Sequence, residues 1–132
     1  MTTSIFVNLP VRDLDRSVAF FTELGYSFND KYTDENAASL VISDNIFAML
    51  LVESFFQTFT PKRIVDATSA TEVIVALSVE TREEVDALVK KALAAGATSY
   101  ADPLDYGFMY QSSFQDLDGH LWEIIWMDPD QE

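Results

Sequence analysis

The feature that most constrains this chain is that it says one thing twice. Val7-Asn8-Leu9-Pro10-Val11-Arg12-Asp13-Leu14-Asp15-Arg16 sets a short apolar run before a helix start, and Val75-Ala76-Leu77-Ser78-Val79-Glu80-Thr81-Arg82-Glu83-Glu84 does the same 68 positions later. Few identities are shared, but the order of signals is the same. A repeated supersecondary unit implies a fold built from two copies, each supplying one sheet face and one helix.

In the first copy Asp13 is a good N-cap, Leu14, Val18 and Phe21 recur at helical spacing, and Gly25 ends the helix. In the second, Thr81 caps, Glu83, Glu84 and Asp86 favour the positive end of the helix dipole, and Val85, Leu88, Val89 and Ala92 form the apolar stripe before Gly96. Three short strands are predicted after each helix: Tyr26 to Tyr32, Ala37 to Ser43 and Ile46 to Glu53, then Thr98 to Asp102, Gly107 to Asp116 and Leu121 to Met127. The turn dipeptides Asp44-Asn45 and Asp118-Gly119 precede the last strand of each set. Each half therefore reads β-α-β-β-β, an α+β chain of two tandem modules, residues 4–53 and 72–127, in a single domain spanning 1–132 with a short acidic tail at 128–132. The stretch 54–71 between them carries Phe55, Phe56, Phe59 and Pro61, is too long for a simple connection, and has room for a short helix.

Composition narrows the function. With 132 residues, 48% of them apolar, the chain can bury about 70% of the surface it exposes when unfolded. The net charge of −14 repels phosphate backbones and anionic headgroups, so neither nucleic acid nor a membrane surface is an expected partner. After Lys91 there are acidic residues and no basic one, which serves solubility or suits a cationic ligand. The absence of Cys removes disulfides, thiolate metal sites and cysteine nucleophiles. The first ten residues carry no basic region followed by a long apolar run, so a cytoplasmic location is the expectation.

The doubled β-α-β-β-β pattern, Val-Arg-Asp-Leu-Asp-Arg-Ser-Val-Ala-Phe-Phe (11–21) leading to Leu-Gly-Tyr (24–26), and the closing Asp-Leu-Asp-Gly-His-Leu-Trp-Glu (116–123) together resemble the vicinal oxygen chelate superfamily. That superfamily includes glyoxalase I, bleomycin-resistance proteins and extradiol dioxygenases, and within it the chain looks closest to the predicted lactoylglutathione lyases. The resemblance covers roughly residues 4–127. It implies a curved, half-open eight-stranded sheet around a cleft, a homodimer, and a divalent metal held by four inward side chains, typically two His and two Glu.

Carried over position by position, those four fall on Phe6 and Ile74, five residues before Val11 and Val79, and on Met49 and Glu123, five residues after Asp44 and Asp118. Only Glu123 carries a metal-binding oxygen, and Met49 offers no more than a weak thioether. The metal site is accordingly expected to be absent and no cofactor is expected. A divalent metal is the alternative, either through a slipped alignment or through a weaker oxygen site from Asn8, Glu72 and Glu123. Strand alternation puts Asn8 and Glu72 on the same faces as Phe6 and Ile74.

Glu123 stands in the otherwise apolar Leu-Trp-Glu-Ile-Ile-Trp, where it is either a general acid/base or a former ligand position bonded to Asn8 or a backbone group. Asn8, Glu72 and Tyr110 are the candidate polar groups facing it. His120, the one His, is three residues away, which points it to the other face and argues for a structural role beside the turn. Tyr106, Phe108 and Tyr110 alternate, which places them on one face as ligand-stacking or packing groups, and the three Phe of 54–71 form a lid or, as preferred, a subunit contact. The expectation is a small-molecule-binding protein whose cleft is lined by Phe6, Asn8, Met49, Glu72, Ile74, Tyr110 and Glu123. The competing readings are a lyase, isomerase or dioxygenase, metal-dependent or metal-free with Glu123 as acid/base, and a scaffold whose cleft is filled by its own side chains.

Overall fold

The computed structural model describes residues 2–130; Gln131 and Glu132, the end of the acidic tail, lie outside the described residues. The strands and helices are β1 (Ile5–Val11), α1 (Leu14–Glu23), β2 (Ser27–Phe28), β3 (Ala37–Ser43), β4 (Ile46–Val52), α2 (Glu53–Phe56), β5 (Ile74–Ser78), α3 (Arg82–Ala94), β6 (Leu104–Asp105), β7 (Met109–Gln115) and β8 (Leu121–Met127). The eight strands form two four-stranded sheets of identical plan, β1-β4-β3-β2 and β5-β8-β7-β6. The chain divides into two compact units, Met1–Val65 and Asp66–Glu132. The repeat read from the sequence is thus an α+β architecture of two β-α-β-β-β copies.

In the first unit the Asp13 carboxylate accepts from the Arg16 N–H at 3.2 Å, capping α1 as its residue type demands. The helix buries Leu14, Ser17, Phe20 and Phe21, and it packs on β3 and β4. Strand alternation supplies the matching layer: Leu9 and Val11 of β1, Ala38 and Leu40 of β3, and Ala48 and Leu50 of β4 are all buried. Their neighbours Phe6 and Asn8, Phe47, Met49 and Leu51, and Ala37 and Ser39 form the opposite face, in the register Phe6↔Phe47, Asn8↔Met49 and Ser39↔Met49. Pro10 is tolerated because β1 is an edge strand.

The second unit repeats this arrangement. Thr81 caps α3 by accepting from the Glu84 N–H at 3.1 Å, and Val85, Val89 and Ala92 are buried where the helix meets β7 and β8. Trp122, Ile124 and Phe114 are almost fully buried, with the Trp122 and Phe114 rings stacked at 6.4 Å.

Two of the predicted strands are largely replaced. The first, Tyr26 to Tyr32, shrinks to Ser27–Phe28, and Asp30–Tyr32 is a 3-10 turn. The cause is local: the Asn29 side chain accepts from the Lys31 N–H at 3.1 Å and the Thr33 hydroxyl donates to the Asn29 carbonyl at 2.8 Å, which competes with the ladder. The segment Thr98 to Asp102 makes one bridge, Thr98↔Gln115, and β6 forms beyond Pro103. Strand β7 starts at Met109 because Tyr106 to Met109 is a turn, closed by the Tyr106 N–H on the Met109 carbonyl at 2.8 Å. The short helix expected between the modules is α2, followed by a 3-10 turn at Gln57–Phe59. Among the described residues no helix is long and apolar enough to cross a membrane.

Candidate functional site

The first unit contains a cavity of about 440 Å³ lined by Asn8, Lys31, Tyr32, Thr33, Asp34, Ala37, Met49, Leu51, Phe55 and Phe59. That is within the range of small-molecule sites. Its floor is the sheet face opposite α1, where Leu51 and Ala37 are buried register partners and Asn8 lies beside Met49. One wall is the aromatic pair Phe55 and Phe59, edge to face at 5.1 Å. The other is the 3-10 turn, with the Lys31 ammonium over the Tyr32 ring at 5.4 Å.

Of the residues singled out from sequence, Asn8 and Met49 line this cavity. Phe6 shares their sheet face, where it stacks on Phe47 at 4.9 Å, 11° from parallel, and stays 56% exposed. Phe55 and Phe59, expected as a lid or a subunit contact, stand in the cavity wall, with Phe59 62% exposed. Lys31, Tyr32, Thr33 and Asp34, which the sequence does not single out, complete the polar side of the lining. The sequence signal is Asn29, whose side chain caps the 3-10 turn and halts the strand.

The second unit holds the other candidates. Glu123 of β8 is half-buried and pairs across the ladder with Ser113 and Ala76. Ser113 is buried, and its side chain is hydrogen-bonded to the Tyr100 hydroxyl. Burial pushes the Tyr100 phenol above its ordinary pKa, the Ser113 hydrogen bond pulls it down, and the Glu123 charge adds to the rise. Tyr100, not Tyr110, is thus the tyrosine that feels the Glu123 charge. Tyr110 is in register with Trp126 while Glu123 is in register with Ser113, so Tyr110 and Glu123 lie on opposite faces. The Tyr110 hydroxyl donates to Asp86 at 2.6 Å, a bond that raises its pKa, and the Arg82 guanidinium lies 4.6 Å above its ring. Tyr106 and Phe108 are exposed neighbours across the turn at Gly107, 6.4 Å apart, and the alternation expected through Tyr110 is interrupted there.

Glu72 lies exposed in the coil before β5, so strand alternation does not extend to it; Ile74 opens β5 at 47% exposure. His120 flanks the turn as its position suggests: its N–H donates to Asp116 Oδ1 at 3.0 Å and its carbonyl accepts from the Asp116 N–H at 2.9 Å.

The four positions that the resemblance assigns to a metal carry Phe6, Met49, Ile74 and Glu123. Two hydrocarbon side chains, one thioether and one carboxylate do not make a divalent-metal donor set. Among the described residues no group of three or more His, Cys, Asp or Glu is placed to hold a metal ion. The residues present do not fit a divalent metal.

Comparison with known proteins agrees with this architecture. Residues 3–43 match the family described as Bleomycin resistance protein-like N-terminal. The hypothetical protein SA1046 from S. aureus shares 31% identity over 95% of this chain and 94% of its own, with a TM-score of 0.79. A glyoxalase/bleomycin resistance protein/dioxygenase family enzyme from Burkholderia phytofirmans PsJN superimposes with the same TM-score, 0.79, at 21% identity over 96% and 99% of the two chains. The bleomycin resistance determinant encoded on the transposon Tn5 does so at 0.67, with 18% identity over 96% and 99%. No curated protein matches the sequence. The fold is that of the glyoxalase/bleomycin resistance/dioxygenase proteins, and residues 3–43 match the bleomycin resistance protein-like N-terminal family.

Proposed function

We propose that this protein binds a small organic molecule without a metal. The observation that carries the reading is the cavity of about 440 Å³, with Met49, Leu51, Phe55 and Phe59 as apolar surface and a few polar groups at one side. A position that the superfamily resemblance gives to a metal ligand is here Met49, a side chain that adds contact area to that floor. The determinant encoded on the transposon Tn5, which by its name confers resistance to bleomycin, has a similar fold. The reading includes a homodimer, supported by the exposed Ile5 and Phe6 on edge strand β1, and a cytoplasmic location.

The test is a panel of neutral, anionic and cationic bicyclic aromatics followed by ligand-observed NMR, with Phe55→Ala and Met49→Ala as variants and thermal melts to check folding. Binding that weakens about tenfold in the folded Phe55→Ala protein is expected, the order of one lost aromatic contact. A panel in which nothing binds, or binding indifferent to both variants, would sink the reading.

A second reading, a metal-free lyase or isomerase with Glu123 as acid/base, is favoured by one observation: Tyr100 and Ser113 form a polar pair beside that carboxylate. Turnover of a lactoylglutathione-type or related substrate that disappears in Glu123→Gln would establish it; absence of turnover in the unaltered protein would retire it.

A further inference from the structure

The cavity's polar wall groups differ in what they leave open to an occupant. Thr33 and Asp34, two of its polar wall residues, are committed to the chain. The Thr33 hydroxyl donates to the Asn29 carbonyl at 2.8 Å and accepts from the Ser39 N–H at 3.1 Å. Asp34 Oδ1 accepts from the Asn36 and Ala37 N–H groups at 2.8 and 3.0 Å. These bonds build the turn that carries the wall and occupy one oxygen of its carboxylate.

Of the remaining polar wall groups Lys31 is a donor only, while the Asn8 amide and the Tyr32 hydroxyl both donate and accept. Lys31 has no carboxylate in ion-pair range among the described residues; its ammonium lies over the Tyr32 ring. The Asn8 side-chain amide makes no hydrogen bond among the described residues and reaches the cavity from the floor. A cation that faces an apolar cavity with aromatic surface on one side is a site for an anionic oxygen, because charge-assisted hydrogen bonds are the stronger kind.

We infer that the cavity takes a planar aromatic molecule bearing an anionic oxygen, an aromatic carboxylate or phenolate, with its ring against Phe55, Phe59 and Met49 and its anionic group on Lys31 and the Asn8 amide. This rests on the small-molecule reading and sharpens it. It also runs against the bulk charge: a protein of net −14 that would repel anions at a distance accepts one locally, at the Lys31 ammonium.

Three probes with one ring system separate the possibilities: 2-naphthoate, 2-naphthalenemethanol and 2-naphthalenemethylammonium, titrated into the full chain and into Lys31→Met. The backbone amides of Lys31, Tyr32 and Asp34 and the side-chain amide of Asn8 are followed by NMR. Lys31 is exposed on its turn, and the amide spectrum reports whether the variant is folded; Lys31→Arg, which keeps the charge, is the second variant. The expected result is that 2-naphthoate binds at least about tenfold tighter than the ammonium probe. That preference is lost in Lys31→Met and kept in Lys31→Arg. Equal or tighter binding of the ammonium probe at the same residues overturns the inference about charge and leaves the small-molecule reading intact. A preference for 2-naphthoate that survives in folded Lys31→Met, or vanishes in folded Lys31→Arg, overturns the role given to Lys31. No movement of the cavity resonances with any of the three overturns both readings.

Discussion

The indole N–H of Trp122 donates to Asp116 Oδ2 across 2.9 Å, and that carboxylate, only 7% exposed, accepts on its other oxygen from the Asp118 and His120 N–H groups at 2.9 and 3.0 Å. One side chain thus closes the turn of the second unit and anchors its largest core residue. Asp116→Asn keeps an acceptor for the two backbone donors but turns an amide N–H₂ toward the indole N–H. A loss of about 1–3 kcal/mol is expected from the donor left unpaired. In a Trp122→Phe background most of that loss should disappear, since there is no indole to orphan. Urea unfolding of the four proteins in this cycle measures it; equal losses in both backgrounds would show that the indole contact is not the source.

The acid limb of stability should depend on two carboxylates with opposite signs. The Arg82 guanidinium, bonded in bidentate fashion to Asp105, and the Gly107 N–H hold the Asp105 carboxyl below its ordinary pKa. Its stabilisation is present above the unfolded value of about 3.9 and is lost as pH falls through the folded value. Burial pushes Asp116 above its ordinary pKa, and the His120 charge, the indole and the two backbone N–H groups oppose the rise in part. Its contribution is therefore greatest below about pH 3.9 and falls as pH rises through its folded pKa. Unfolding free energies measured at a series of pH values from neutral downward should fall less steeply below about pH 4 in Asp105→Asn than in the parent. An unchanged slope would mean that the Arg82 pair is not formed in solution.

A methyl group at Gly119 should be far more damaging than one at Gly25. Both have positive φ, +93° and +102°, but a Cβ at Gly25 meets nothing within 4 Å, whereas at Gly119 it would stand 2.6 Å from Ala67 C and Thr68 N. Gly25→Ala is expected to cost about 1–2 kcal/mol for the left-handed backbone alone. Gly119→Ala adds a backbone collision and should exceed it clearly, a ranking that thermal melts can check.

Removing the charge at Glu123 should lower the pKa of Tyr100, because that charge holds the phenol's proton in place. Burial, the larger cause, is untouched by Glu123→Gln, so the tyrosine stays above its ordinary value. The ring-carbon NMR titration of Tyr100 in the two proteins reads the difference. No change would place Glu123 too far from the hydroxyl to act with it.

Added Ni, Zn, Mn or Mg should leave the melting temperature where it is. Phe6 and Ile74 offer no donor at positions where the superfamily resemblance expects ligands, and a metal that bound the native state would raise stability by mass action. A clear upward shift with near-stoichiometric metal after purification without chelator would show that another set of side chains holds an ion.

What could be read from sequence was local or periodic. Asp13 and Thr81 cap their helices because an extended residue with a side-chain oxygen just before a helical run reaches the amide three residues on, and the doubled pattern carries the fold. The wall at Lys31 was not legible because Asn29 spends its side chain on stopping a strand that propensity would have continued. Tyr110 was assigned to the wrong neighbour for a different reason. Which face a residue shares with one on another strand depends on register, here Ser113 opposite Glu123, and one sequence does not state a register.

The parallel pairing of the first strand with the last in each unit has a consequence for how the chain acquires its structure. Ile5–Val11 has no partner until Ile46–Val52 exists, and Ile74–Ser78 none until Leu121–Ile125. As the chain emerges during synthesis, each opening strand must wait, apolar and unpaired, while a helix and a hairpin assemble ahead of it. Contacts of such sequence separation are slow to form, so strand docking is the step at which folding of either half is expected to stall and at which nascent chains are most exposed to one another.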